Sequence, residues 1–179
     1  KGVGTKKAKE AQKKWKNRDL ALLQLGLTTG LRVTAMSEIN LEDIDFENKV
    51  IRVTDKGNAT KNSYLGDQTV EILKDWIKDR NKILEEEQMD ALFISNQKRR
   101  ISTKAISYVL TKYTQNIDKH ITPHKLRSSC ATNLYAANGG DIYEVGEVLG
   151  HKNLSNTKRY TKISEEKRKS AASRLDNIF

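Results

Sequence analysis

Apolar residues recur at intervals of three and four along most of this chain and alternate with polar ones in a single stretch, a pattern that packed helices with one small sheet satisfy. Leu20, Leu23 and Leu27 fall at helical spacing, with Leu22 and Leu25 widening the stripe, so a buried helix is expected from Arg18 to Thr28-Thr29-Gly30. A short helix follows from Arg32 to Ile39. Ile44 and Phe46, then Val50, Ile51 and Val53, then Tyr64 and Leu65 carry the alternation, broken by Glu47-Asn48 and by the polar stretch Asp55 to Asn62. That predicts a three-stranded antiparallel sheet. Asp67 is expected to cap a long helix bearing Val70, Leu73, Ile77 and Leu84, and Ser102 another bearing Ile106, Val109, Leu110 and Tyr113. Further helices are expected from Pro123 into Ala137, from Ile142 to Leu149 with Gly150 as the stop, and from near Asn156. The expected fold class is mainly α (α+β), helical with a small three-stranded antiparallel sheet.

At 179 residues the chain suits one domain, which can bury most of the surface a stable core requires. Residues 1–17, rich in lysine and short of apolar positions, are expected to be a basic lead-in that docks weakly if at all. The domain proper is placed at 18–163. The tail, 164–179, opens on Ser164 and Glu165-Glu166, good chemistry for a helix start. Its stripe of Ala171, Leu175, Ile178 and Phe179 is too short to stand alone and needs a groove, in its own domain or a neighbour's.

Lys and Arg number 33 against 23 Asp and Glu, a formal charge of +10, which points to a polyanionic partner. No apolar run is long enough to span a bilayer, so nucleic acid is expected rather than membrane. The one cysteine, Cys130, rules out an internal disulfide and a thiolate zinc cage; it reads as a small buried residue with no role in chemistry. Three scattered histidines make no convincing metal site, so neither metal nor cofactor is expected. A reducing cytoplasm fits this composition. The chain begins Lys1-Gly2-Val3-Gly4 without methionine or a signal-peptide core, which suggests a piece of something longer.

Four short segments bear residues suited to phosphate chemistry. Thr122-Pro123-His124-Lys125-Leu126-Arg127 has a good N-cap followed by proline at the first helical position, which sets His124 and Arg127 on one face beside a helix N-terminus. Leu149-Gly150-His151 places a histidine at a helix boundary, nine residues before Tyr160. Thr29-Gly30-Leu31-Arg32 puts an arginine where two helices meet at a glycine turn, and Lys56 lies at an expected hairpin tip. Each alone reads more readily as a surface pair, a solvated charge or a bonded tyrosine.

Their order and spacing, with Leu41-Glu42-Asp43-Ile44-Asp45 and Lys56-Gly57 between the arginines, resemble the tyrosine recombinases, particularly phage and conjugative-transposon integrases. The likeness runs from about Arg18 to Ile163. It implies the helical catalytic domain of that family, with Arg32 and Arg127 clamping the phosphate, Lys56 as the hairpin lysine, His124 and His151 as the two family histidines, and Tyr160 as nucleophile. One departure stands out: the family usually carries an acid three residues after the first arginine, whereas this chain has Ala35. Asp43 and Glu42 are the candidate replacements.

The chemistry suits those residue types. Two guanidiniums can meet the non-bridging oxygens of a phosphodiester in bidentate fashion while staying charged, and His151 would add a donor. Tyr160 needs help to act as a nucleophile, from His124 as base and from the arginine field. Lys56 would protonate the leaving 5′ oxygen. The covalent 3′-phosphotyrosine conserves the energy of the cut bond, so neither ATP nor metal is called for. The resemblance also implies double-stranded DNA as partner, a monomer when free and a tetramer on paired sites, and a tail exchanged between protomers. Lys98, Arg99, Arg100, Lys104, Lys125, Lys152, Lys158 and Arg159 are candidate backbone contacts, giving affinity and salt dependence rather than sequence choice. Two other readings are a type IB topoisomerase, which would rejoin the same strand, and a DNA-binding regulator of the same fold that does not cut.

Overall fold

A computed structural model describes residues 6–55, 59–114 and 122–150. Contacts divide the chain into two compact units, Lys1–Cys130 and Ala131–Phe179. In the first unit, helix α1 (Lys6–Thr29) is followed by α2 (Val33–Glu38), a 3-10 turn (Leu41–Asp43) and strands β1 (Ile44–Asp45), β2 (Val50–Asp55) and β3 (Ala59–Tyr64). Helices α3 (Asp67–Leu84) and α4 (Thr103–Thr114) come next, then α5 (Pro123–Ala137), which enters the second unit, and α6 (Ile142–Leu149). The mainly helical fold with one three-stranded antiparallel sheet is as expected, in strand order β1-β2-β3.

Helix α1 corrects the sequence reading twice. It begins at Lys6 rather than Arg18, and Trp15, inside the expected lead-in, is 7% exposed in the main core. Its ring lies 6.3 Å from that of Trp76 on α3, so two large aromatic surfaces hold the basic segment down against the strong solvation of its lysines. The buried face is also rotated from the expected one. Leu22 and Leu25 are fully buried, whereas Leu20 and Leu27 are 42% and 40% exposed. Burying Leu22 and Leu25 contributes about 1.5–3 kcal/mol each. The true stripe runs Trp15, Arg18, Asp19, Leu22, Leu25, Gly26, Thr29, at helical spacing throughout but with two charges inside it.

The sheet buries one face. Ile51 and Val53 point into the core and Arg52 and Thr54 to solvent, with Ile51 opposite Ser63 and Val53 opposite Lys61. Strand β3 therefore takes in Ala59 to Asn62 of the polar stretch expected to separate the second and third strands, and Tyr64 ends the strand 76% exposed. Register follows the alternation of β2, which leaves β3 to pair through its backbone whatever its side chains are.

Capping was mostly as expected. Ser102 Oγ accepts from Ala105 N at 3.2 Å, Thr122 Oγ1 accepts from Lys125 N at 3.2 Å, and Gly150 closes α6 in the left-handed region at φ 66. Asp67 differs: Gly66 holds the cap position, and the Asp67 carboxylate meets Lys49 Nζ at 2.5 Å. Tertiary polar bonds finish the first unit. Trp76 Nε1 donates to the Leu92 carbonyl at 2.9 Å, and buried Arg80 donates to the carbonyls of Ala91 and Met89. In the second unit Ala131, Val145 and Leu149 form a small core with Leu134 and Tyr135 packed on it.

Candidate active site

The first arginine is held by backbone geometry. α1 ends on Thr29, whose hydroxyl donates back to the Leu25 carbonyl at 2.6 Å. Gly30 then turns through φ 60, a conformation that costs a residue with a side chain about 1 kcal/mol or more. This sharp turn lets Arg32 follow two residues later as the extended N-cap of α2, its carbonyl accepting from Met36 N at 2.9 Å. Ala35 is buried in α2 at 7% exposed. Asp43 is engaged in its own turn, its carboxylate accepting from Asn40 N at 2.8 Å, while Glu42 is exposed and its carbonyl accepts from Arg52 at 3.4 Å.

The second arginine comes from almost a hundred residues later. Thr122 caps α5 as the sequence predicts, and no acidic residue sits in the first turn of that helix. Its amide dipoles and Lys125 therefore leave the end positive. One turn in, the Arg127 guanidinium donates through Nη1 to the Gly30 carbonyl. Arg127 thus binds the turn that launches Arg32. Both are partly exposed. His124 is exposed on the same face of α5, its Nδ1 3.2 Å from Ser128 Oγ. Arg127 also acts on Cys130: burial pushes that thiol up, against the pull of the guanidinium, which suits an inert core residue. Lys56, His151 and Tyr160 lie outside the described residues; β2 and β3 pair up to Asp55 and Ala59 on either side of the Lys56 segment.

The predicted basic contacts differ among themselves. Arg99, Lys104 and Lys125 are exposed. Lys98 pairs with Glu87 at 2.9 Å. Arg100 donates to the Ser37 carbonyl at 3.0 Å, the Ile39 carbonyl at 3.4 Å and Asn40 Oδ1 at 2.5 Å, so it satisfies the end of the helix that Arg32 begins. Lys152, Lys158 and Arg159 lie outside the described residues.

Sequence reasoning missed one polar centre altogether. Arg18 and Asp19 are 6% and 1% exposed. Arg18 donates to Asp19 Oδ1 at 2.9 and 2.7 Å, to the Ile94 carbonyl at 3.1 Å and to Asn96 Oδ1 at 3.1 Å, and its guanidinium stacks on Trp15 at 4.5 Å. Tyr113 donates its hydroxyl to Asp19 Oδ2 at 2.9 Å. Burial, with the charge of Asp19, pushes this phenol up to about 12, which makes Tyr113 a poor nucleophile. The signal was present: opposite charges at the spacing of the buried stripe.

The chain is similar to known proteins in both sequence and fold. A family model described as the phage integrase family matches residues 6–167. Tyrosine recombinase XerC of Actinobacillus pleuropneumoniae is 35% identical over 148 residues, covering 82% of this chain and 47% of that protein. Tyrosine recombinase XerD of Staphylococcus epidermidis is 36% identical over 151 residues, covering 83% and 51%. The chain spans about half the length of the curated relatives it matches. Among solved structures, XerH site-specific recombinase bound to palindromic difH substrate, a post-cleavage complex, superposes with a TM-score of 0.75 at 25% identity over 91% of this chain and 47% of that one. XerA recombinase shares the fold with a TM-score of 0.77 at 24% identity, over 97% of this chain and 64% of that one.

Proposed function

We propose, since this chain belongs to the phage integrase family, that it is the catalytic domain of a tyrosine recombinase, cutting and rejoining double-stranded DNA at specific sites. The observation that carries the reading is the meeting of Arg127 with the Gly30 turn that launches Arg32, at the N-terminal end of α5, whose first turn holds no acidic residue. Relatives named tyrosine recombinases and a neighbour solved on its DNA substrate support it.

In this mechanism Arg32 and Arg127 bind the non-bridging oxygens of one phosphate and meet the charge that grows on them, each donor contributing about 3–4 kcal/mol. His151 adds a further donor. His124 takes the phenol proton of Tyr160, whose oxygen forms a bond to phosphorus as the bond to the 5′ oxygen breaks. Lys56 delivers a proton to that oxygen. The reverse sequence, begun by a 5′ hydroxyl, expels the tyrosine and seals a strand. Arg99, Lys104 and Lys125, exposed on the first unit, contribute backbone affinity, together with Lys152, Lys158 and Arg159. The protein is a monomer when free, assembles as a tetramer on paired sites with residues 164–179 exchanged between protomers, and works in the cytoplasm. Among the described residues no helix is long and apolar enough to cross a membrane.

Nicked suicide duplexes of randomised sequence test the reading. The protein is expected to accumulate a covalent DNA adduct that Tyr160→Phe cannot form. A protein that binds DNA yet yields no adduct would be a regulator, and the recombinase reading would be wrong.

A further inference from the structure

Gly26 lies on the buried face of α1, one turn before Gly30, and its carbonyl accepts from Gly30 N at 3.2 Å. Directly across from it stands Leu126 of α5, the residue before Arg127. A Cβ built on Gly26 would overlap Leu126 Cδ2, approach Leu126 Cγ to 3.5 Å and touch Met36 Cε at 3.8 Å. Leu126 is itself 4% exposed and part of the main core, so it has little room to turn aside. The two helices therefore come together at a point where one of them has no side chain. Next to that point are the two ends of the contact that ties α5 to the turn before Arg32, the Arg127 guanidinium and the Gly30 carbonyl.

We propose that Gly26 is a positioning residue for Arg127: its missing side chain sets the approach of α5 to α1 that places the guanidinium at the Gly30 turn. It touches no reacting atom and acts through Leu126. Helix propensity alone favours alanine at a mid-helix glycine, so stability of α1 does not explain glycine here, whereas close packing does. The catalytic consequence rests on the recombinase reading of Arg127. An alanine at this position requires Leu126 or the first turns of α5 to move by about an ångström, and displacements of that size in a catalytic group cost about a hundredfold in rate.

The test is a double-mutant cycle on adduct formation with the randomised nicked duplexes. Gly26→Ala is expected to slow adduct formation at saturating DNA by about tenfold or more, with the Kd for DNA unchanged within about twofold. A general loss of folded protein would instead lower the active fraction. In the Leu126→Ala background, which removes the opposing side chain, the same substitution should change the rate by less than about threefold. Hydrogen exchange at the Arg127 guanidinium, followed by NMR without DNA, should be slow in the unaltered protein and in the double variant, and fast in Gly26→Ala. The proposal is overturned if Gly26→Ala cleaves like the unaltered protein, or if its defect persists in the Leu126→Ala background. Should Gly26→Ala fail to fold, the double variant must fold and cleave like Leu126→Ala alone, and its failure to do so is equally decisive. An unaltered protein that makes no adduct defeats the recombinase reading, while the exchange measurement still decides whether Gly26 places Arg127.

Discussion

Near its start, α1 buries Arg18 against Asp19 and surrounds the pair with the Ile94 carbonyl, Asn96, Tyr113 and the face of Trp15. Just past its end, the Gly30 carbonyl accepts from Arg127 two residues before Arg32, and both arginines are partly exposed residues. The first corner has a carboxylate of its own, and protein atoms take up its donors from every side. The second collects positive charge at a helix N-terminus with no acid in the first turn. A buried ion pair must be satisfied internally or it destabilises the fold, whereas a phosphate site must keep its donors within reach of a ligand. One helix thus carries a corner closed by the fold's own groups and leads to the corner proposed for chemistry, roughly 20 Å apart along its axis at the usual helical rise.

Three substitutions would break or sharpen that contrast. Asp19→Asn leaves the Arg18 charge buried without its counter-ion and is expected to lower the unfolding free energy by about 3–5 kcal/mol, read by urea denaturation. If the loss were within error, the Arg18 corner would not be the structural one. Arg127→Ala should slow adduct formation by about 10²–10³-fold while the urea midpoint moves little. A stability loss matching that of Asp19→Asn would erase the distinction. Tyr113→Phe probes the first corner by pH. Because the folded phenol is raised to about 12 from an ordinary 10.0, its bond to Asp19 stabilises fully below pH 10 and is lost as pH climbs through 12. The bond contributes about 1 kcal/mol, reduced because the side chain is half exposed. Stability curves of the unaltered protein should fall between these pH values, and those of Tyr113→Phe should be flatter there.

Much of the fold was legible because it is decided within one turn of chain. Thr122 followed by Pro123, Ser102 ahead of α4, and Gly150 after α6 each satisfy or end the nearest backbone groups, so local chemistry announces them. The strand alternation of β2 was equally plain. What misled was averaging over an apolar stripe: in α1 five leucines lie close together, and hydrophobicity alone could not say that Leu22 and Leu25 face the core while Leu20 and Leu27 face water. The early start of α1 was hidden too, since its lysines read as solvated and the ring that packs on Trp15, that of Trp76, is some sixty residues away.

By itself, then, the sequence determined where most elements begin and end, the excess of positive charge, and which residue types suit a phosphate, because those depend on neighbours a few positions apart. Tertiary structure alone decided which face of α1 is buried, that Arg18 and Asp19 go inside, and that Arg127 reaches Gly30 across the gap left by Gly26. These are contacts between groups far apart in the chain. Their free energy exists only once the helices have met, so no local pattern records it.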